Sequence, residues 1–178
     1  WSNKNPDQNY FDEALSKIEW QDNTGKLASY LREIGDSLNY SIRSCYGWVN
    51  KCEWQNQNEA KIKEANPNNY HKNKAQLQSI LPKLVDIAQT NKHVQDLQEF
   101  IWSTRVLIWI QDILLLKKKY EFKQNKVKTL TTIDQAIQEG FQITKDYETL
   151  WRARNKESEM HHTRDIFIGI CHKLETLK

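Results

Sequence analysis

Apolar residues recur every three or four positions along most of the 178-residue chain, which is the spacing of one face of an α-helix. Proline and glycine, which commonly form turns, occupy only eight positions, three prolines and five glycines. A fold of many short strands needs more turns than these residues supply. The sequence therefore predicts an all-α protein, an antiparallel bundle of five or six helices, several longer than 20 residues. We expect one helical domain over residues 1–178.

The breaks between apolar stretches predict where the first helices lie. A first helix ends before the break at Asp22–Gly25, and a long second helix extends from Thr24 to Cys52. A loop is predicted over Gln55–Asn73, and Pro82 should kink or restart the third helix. We expect the first helix to face the core with its apolar side chains, which are Tyr10, Phe11, Leu15 and Ile18.

Two helices are predicted in the last third of the chain. Thr132 and Gln135 have the spacing of a capping box, which predicts a helix start there. The last helix should extend from about Ser158 to Leu177. The predicted core face of the first of these helices consists of Ile133, Ala136, Ile137, Phe141, Ile143 or Thr144, Tyr147, Leu150 and Trp151.

The segment Phe100–Leu116 is the most apolar part of the chain, with apolar residues in nearly every direction around a helix. Such a pattern is typical of a helix buried at the centre of a protein. A membrane span is the alternative, but Arg105, Gln111 and Asp112 interrupt the segment, and a charge at that depth costs a few kcal/mol. We therefore predict a buried central helix and no membrane contact.

Charge and cysteine content bound the partners and the compartment. The 26 basic and 23 acidic side chains give a formal charge of +3 and are spread along the chain, which does not favour nucleic acid as a partner. Cys45 and Cys52 are too far apart on one helix to form a disulfide, and Cys171 has no obvious partner. An odd number of cysteines favours the cytoplasm, although buried thiols also survive in secreted proteins. Because the chain begins at Trp1 and its single methionine is Met160, we expect a processed protein or a piece of a larger one.

Catalytic and metal patterns are weak in this sequence. Glu159 and His162 have the spacing found in bundle di-iron sites, but a second such pair does not occur. Asp12–Glu13 is an adjacent acid pair, which we expect on a solvated helix turn rather than in an active site. We predict no cofactor, no metal and no catalytic residue in this chain.

Seven tryptophans are unusual for this length. Trp102, Trp109 and Trp151 lie on predicted core faces, where we expect them to pack. Trp48 and Trp54 lie beside the predicted loop, where an exposed indole could stack on a sugar ring or a partner protein. Packing of these two rings against the loop is the favoured alternative.

Two ends of the chain resemble a known family. Tyr147–Lys156, which contains Leu-Trp-Arg-Ala-Arg-Asn, and the following helix Ile166–Leu174 resemble the end of the helical region that follows the catalytic barrel in family 20 β-N-acetylhexosaminidase-type glycoside hydrolases. Phe11–Leu15, followed by Gly25–Ala28 and Leu31–Gly35, resembles the start of that region. The family has a glycine-containing turn after Arg-Asn, whereas this chain has Glu157–Glu159.

The resemblance implies a non-catalytic C-terminal helical module that packs on the catalytic domain of the same protein. It singles out Trp151, Arg152, Arg154 and Asn155 as structural or interaction anchors. A guanidinium can hold a carboxylate, so Arg154 would tie the last two helices together or anchor the module on its neighbour.

The alternative is a free-standing helical interaction protein of effector, immunity or scaffold type. An isolated module should expose an apolar patch of several hundred Å², whereas an independent protein should be polar outside one compact site.

Overall fold

The computed structural model describes residues 7–37, 67–121, 126–155 and 157–178, with side chains except at 67, 117–121, 126–131 and 157. Every regular element in these ranges is helical, which confirms the predicted all-α fold. Three of the helices exceed 20 residues. The helices are α1 (Gln8–Ile18), α2 (Leu27–Asp36), α3 (Pro67–Thr90), α4 (Val94–Glu121), α5 (Lys126–Arg154) and α6 (Met160–Glu175), with a 3₁₀ turn at Glu157–Glu159.

Consecutive long helices pack side by side in antiparallel order. Lys74 near the start of α3 pairs with Asp112 in the second half of α4, and Asp96 near the start of α4 pairs with Arg154 at the end of α5. The connection from α3 to α4 has only three residues, which forces the chain to reverse direction at once. The predicted antiparallel bundle is therefore confirmed.

Helix α4 lies at the centre of the described bundle, as predicted. Its residues Trp109, Ile110 and Ile113 are buried in a core shared with α5 and α6, whereas Leu97 and Leu107 belong to a second core shared with α2 and α3. Because α4 contacts neighbours on both sides, its apolar residues surround it. None of the helices in the described ranges is long and apolar enough to span a bilayer.

Several predicted boundaries in the first half of the chain are wrong. Helix α2 ends at Asp36, where the Ser37 hydroxyl donates to the Ile34 carbonyl at 2.7 Å, so the helix predicted from Thr24 to Cys52 does not continue unbroken. Residues 38–66, which include most of the predicted loop, lie outside the described residues. The loop prediction is wrong for 67–73, because α3 begins at Pro67, a favoured residue for the first helical position. No restart occurs at Pro82, which lies inside the continuous α3.

Helix α5 also differs from its prediction. It begins at Lys126, so Thr132 and Gln135 lie inside the helix and do not cap it. Phe141 was expected in the core but is exposed, because the neighbouring Gly140 occupies the inward position. Ile133, Ala136, Ile137, Ile143, Thr144 and Tyr147 are buried as predicted.

Candidate functional site

Helix α1 carries its large apolar side chains on the outside of the protein. Tyr10 is 69% exposed, Phe11 51% and Ile18 79%, and Leu15 lies beside them. The prediction that these residues face the core is therefore wrong. Phe11, Leu15 and Ile18 follow each other at steps of four and three, so they form one stripe along the helix. We call this stripe, together with Tyr10, the α1 apolar face.

The polar side of α1 packs inward against α2. Asp12 is only 4% exposed, and its Oδ2 accepts hydrogen bonds from Arg32 Nε at 3.0 Å and Nη2 at 2.7 Å. The hydrogen bond from Arg32 holds the pKa of the Asp12 carboxyl below its usual range. Ser16 is fully buried, and its hydroxyl accepts from the Ala28 backbone N–H at 2.8 Å while donating to the Asp12 carbonyl. These contacts fix the orientation of α1.

The loop between α1 and α2 is held by Asp22. Its carboxylate accepts backbone hydrogen bonds from Thr24, Lys26 and Leu27, each at 2.9 Å, and so satisfies N–H groups at the start of α2. Burial alone would raise the pKa of Asp22, but these hydrogen bonds outweigh it and lower the pKa. The turn also needs Gly25, whose φ of 66° is a left-handed conformation. The α1 apolar face is therefore presented by a helical hairpin whose loop is held by Asp22 and Gly25.

Asp12–Glu13 does not form the solvated acid pair expected from the sequence. Asp12 is buried against Arg32, whereas Glu13 is exposed and forms an ion pair with Lys17 at 2.6 Å. The two carboxylates thus have different environments and separate partners. Asp12 has a structural role in joining α1 to α2.

The four residues singled out by the resemblance lie at the C-terminal end of α5. Arg154 forms ion pairs with Asp96 and, at 2.8 Å, with Glu99, both near the start of α4. It therefore ties α5 to α4, whereas the predicted tie joined the last two helices. The hydrogen bond from Arg154 lowers the pKa of Asp96. Arg152 is exposed, with Glu148 at 3.5 Å.

The other two of these residues border a cavity. Trp151 is partly buried, with its ring 5.7 Å from that of Tyr147, and Asn155 is exposed. Both line a cavity of about 220 Å³ between α4 and α5. Trp48 and Trp54, the two candidate stacking residues, lie outside the described residues.

Other chemical candidates carry no site. His161 and His162 are exposed with ring centroids 4.0 Å apart, and no group of three or more potential metal ligands occurs in the described ranges. Burial raises the pKa of the Cys171 thiol to about 12, which leaves it protonated at neutral pH. A larger cleft of about 570 Å³ between α3, α4 and α5 is lined by Lys74, Asp112, Arg105 and Glu139. Lys74 pairs with Asp112, and Arg105 pairs with both Glu139 and Asp146, so each of these charged groups already has a partner.

Comparisons with protein-family models, with curated proteins and with solved structures found no match for this chain. They add no support to the resemblance to hexosaminidase-type enzymes.

The sequence did not predict the α1 apolar face, because the spacing of apolar residues shows that they form a stripe but not whether the stripe faces the core or the solvent.

Proposed function

We propose that this chain is a non-catalytic, protein-binding helical module and that the α1 apolar face is its contact surface. The observation that carries the proposal is the exposure of Phe11 and Ile18 on a helix whose polar side is fixed inward. Anchors at steps of four and three are typical of a helix that binds in an apolar groove of another protein. The proposed partner is therefore a protein domain with such a groove.

The area of the α1 apolar face favours a groove over a second copy of this chain. Its four side chains expose on the order of 400 Å², the size of an exposed patch that is often functional. Two copies packed face to face would bury about twice that, less than the roughly 1,200 Å² of a specific interface. A groove also covers the flanks of the helix and so buries more surface.

The resemblance to hexosaminidase-type enzymes implies that the groove belongs to a catalytic domain encoded in the same gene. The alternative is a groove on a separate protein, bound by a free-standing module of effector, immunity or scaffold type. The gene sequence upstream of Trp1 distinguishes these two cases, since a catalytic barrel encoded there supports the first. An open reading frame that starts within about 30 codons of Trp1 contradicts it.

The surface is tested by photo-crosslinking and by affinity measurement. A photo-reactive residue placed at Ile18 should crosslink one defined protein domain, which is then purified, or expressed separately if it is part of the same polypeptide. Phe11→Asp should weaken its binding about 30-fold, the equivalent of the roughly 2 kcal/mol that marks an interface hot spot.

Phe141→Asp is the matched control, because Phe141 is an exposed phenylalanine on α5. It should leave the affinity unchanged. Equal effects of the two substitutions, or an affinity insensitive to Phe11→Asp, would rule out the α1 apolar face as the contact surface. Both variants should unfold near the wild-type midpoint, since neither side chain is buried.

A further inference from the structure

The hairpin formed by α1 and α2 is acidic, whereas the rest of the chain is basic. Residues 7–37, which include both helices, contain seven of the 23 acidic and three of the 26 basic side chains. The remainder of the chain therefore contains 16 acidic and 23 basic side chains. The formal charge of +3 is thus the difference between a hairpin of −4 and a remainder of +7.

Two exposed carboxylates at the ends of α1 form no ion pair with any residue in the described ranges. Asp7 precedes the helix, and its side chain accepts a hydrogen bond from the Asn9 backbone N–H at 3.2 Å. Glu19 caps the other end, where the helix dipole disfavours a negative charge. Glu19 follows Leu15 by four positions, so it borders the α1 apolar face.

The other charged side chains of α1 already have partners. Asp12 pairs with Arg32 at 2.7 Å, and Glu13 pairs with Lys17 at 2.6 Å. The hydrogen bond from Lys17 lowers the pKa of Glu13, and the nearby Lys26 adds to this effect. Glu19 is therefore the charge beside the apolar stripe that a binding partner can neutralise.

We infer that the protein groove that receives the α1 apolar face is bordered by basic side chains, one of which pairs with Glu19. The inference rests on the proposed function, because it specifies the charge of the same partner. A cation next to Glu19 compensates both the carboxylate and the negative end of α1. Charges at the rim of an interface mainly raise the association rate and exclude wrong partners.

The basic remainder of the chain makes this recognition selective. A basic partner is attracted by the hairpin and repelled by the remainder, so it approaches with its groove towards α1. A second copy of this chain fits the surface less well. Two α1 apolar faces packed together would bring two acidic hairpins into contact, and like charges at an interface oppose association.

The probe is the protein domain that crosslinks through position 18, purified and mixed with the full chain in a stopped-flow fluorimeter. The association rate should fall at least about tenfold between about 25 mM and about 500 mM salt. Glu19→Lys should slow association about three- to tenfold at the lower salt concentration and change it little at the higher one. The dissociation rate should change less than the association rate.

Glu175→Lys is the matched control. Glu175 is also an exposed glutamate at the C-terminal end of a helix, without an ion pair in the described residues, but it lies on α6, outside the hairpin. Both substitutions place a cation at the negative end of a helix and should affect stability alike. Glu175→Lys should change the association rate less than about twofold.

The outcomes separate this inference from the proposed function. If Phe11→Asp weakens binding but association is independent of salt, or Glu19→Lys slows it no more than Glu175→Lys does, only the charge of the groove is wrong. If the crosslinked protein is a second copy of this chain, or Phe11→Asp leaves the affinity unchanged, the proposed function fails and this inference fails with it.

Discussion

Gly140 lies in α5 where both α4 and α6 approach the backbone of that helix. A Cβ atom added there would lie 2.5 Å from Cys171 Sγ and 2.6 Å from Trp109 Cζ2. Both distances are far below van der Waals contact, so Gly140→Ala requires a neighbour to move. The Trp109 ring has little freedom, because it is 1% exposed and its indole N–H donates to the Ala136 carbonyl at 2.6 Å.

Two opposing effects determine how much Gly140→Ala changes the free energy of unfolding. Alanine is favoured over glycine inside a helix by about 1 kcal/mol. Overpacking of a well-filled core costs about 1–3 kcal/mol, and the fixed Trp109 ring places this site in the upper part of that range. We expect a net loss of about 1–2 kcal/mol in the free energy of unfolding, or about 2–8 °C in the melting temperature.

Gly35→Ala is the control for helix propensity. Gly35 lies in α2, where an added Cβ would have no atom within 4 Å, so this substitution should raise the free energy of unfolding by about 0.5–1 kcal/mol. Urea unfolding followed by far-UV circular dichroism measures both variants, with an unchanged denaturant slope as evidence of two-state behaviour.

A third variant identifies the clash directly. Cys171→Ala removes the nearest of the three atoms that approach the added Cβ, so Gly140→Ala should cost less in that background than in the wild type. If Gly140→Ala were as stable as the wild type, or gained as much as Gly35→Ala, the close approach of α4 and α6 to α5 would be refuted.

Three further predictions concern ionisable groups. Arg32 lowers the pKa of Asp12, so the ionised Asp12 carboxylate stabilises the fold fully above about pH 4, and this stabilisation is lost as the pH falls through the lowered pKa. Asp12→Asn should therefore reduce the free energy of unfolding at pH 7. In urea unfolding measured across pH, the variant should also lose less stability than the wild type on acidification. Cys171 should resist iodoacetamide at pH 8 in the native state and react after unfolding, as measured by mass spectrometry of the Cys171 peptide; rapid native alkylation would contradict its burial. Arg154→Ala should lower the melting temperature slightly at low salt and not at 1 M salt, because its pairs with Asp96 and Glu99 are solvent-accessible; an effect independent of salt would show that packing dominates.

The interior of the bundle was predictable from the sequence because burial on all sides leaves a clear pattern. Nearly all large apolar residues from Phe100 to Leu116 belong to one of the two cores or pack against it. In α6, Phe167, Ile170 and Leu174 are buried as expected. For such helices, periodicity alone determines which residues contact the core.

Helix boundaries were less predictable because they depend on local and tertiary contacts that spacing does not encode. Ser37 ends α2 by bonding back to Ile34, although the apolar pattern continues beyond it. Thr132 and Gln135 match a capping box, yet α5 already begins at Lys126. The close approach of α4 and α6 to Gly140 likewise depends on tertiary packing, which the spacing of apolar residues does not encode.

The orientation of α1 is the clearest case in which sequence pattern and structure disagree, and the disagreement has a physical cause. Rotating α1 to bury Phe11 would separate Asp12 from Arg32 and leave the Ala28 N–H, at the start of α2, without Ser16. These polar contacts are specific to one orientation, whereas apolar burial is not directional. At roughly 25 cal/mol per Å² of exposed apolar surface, the outward stripe of about 400 Å² costs up to about 10 kcal/mol relative to complete burial. Under the proposed function, a second protein surface that covers the stripe would recover that free energy without breaking either polar contact.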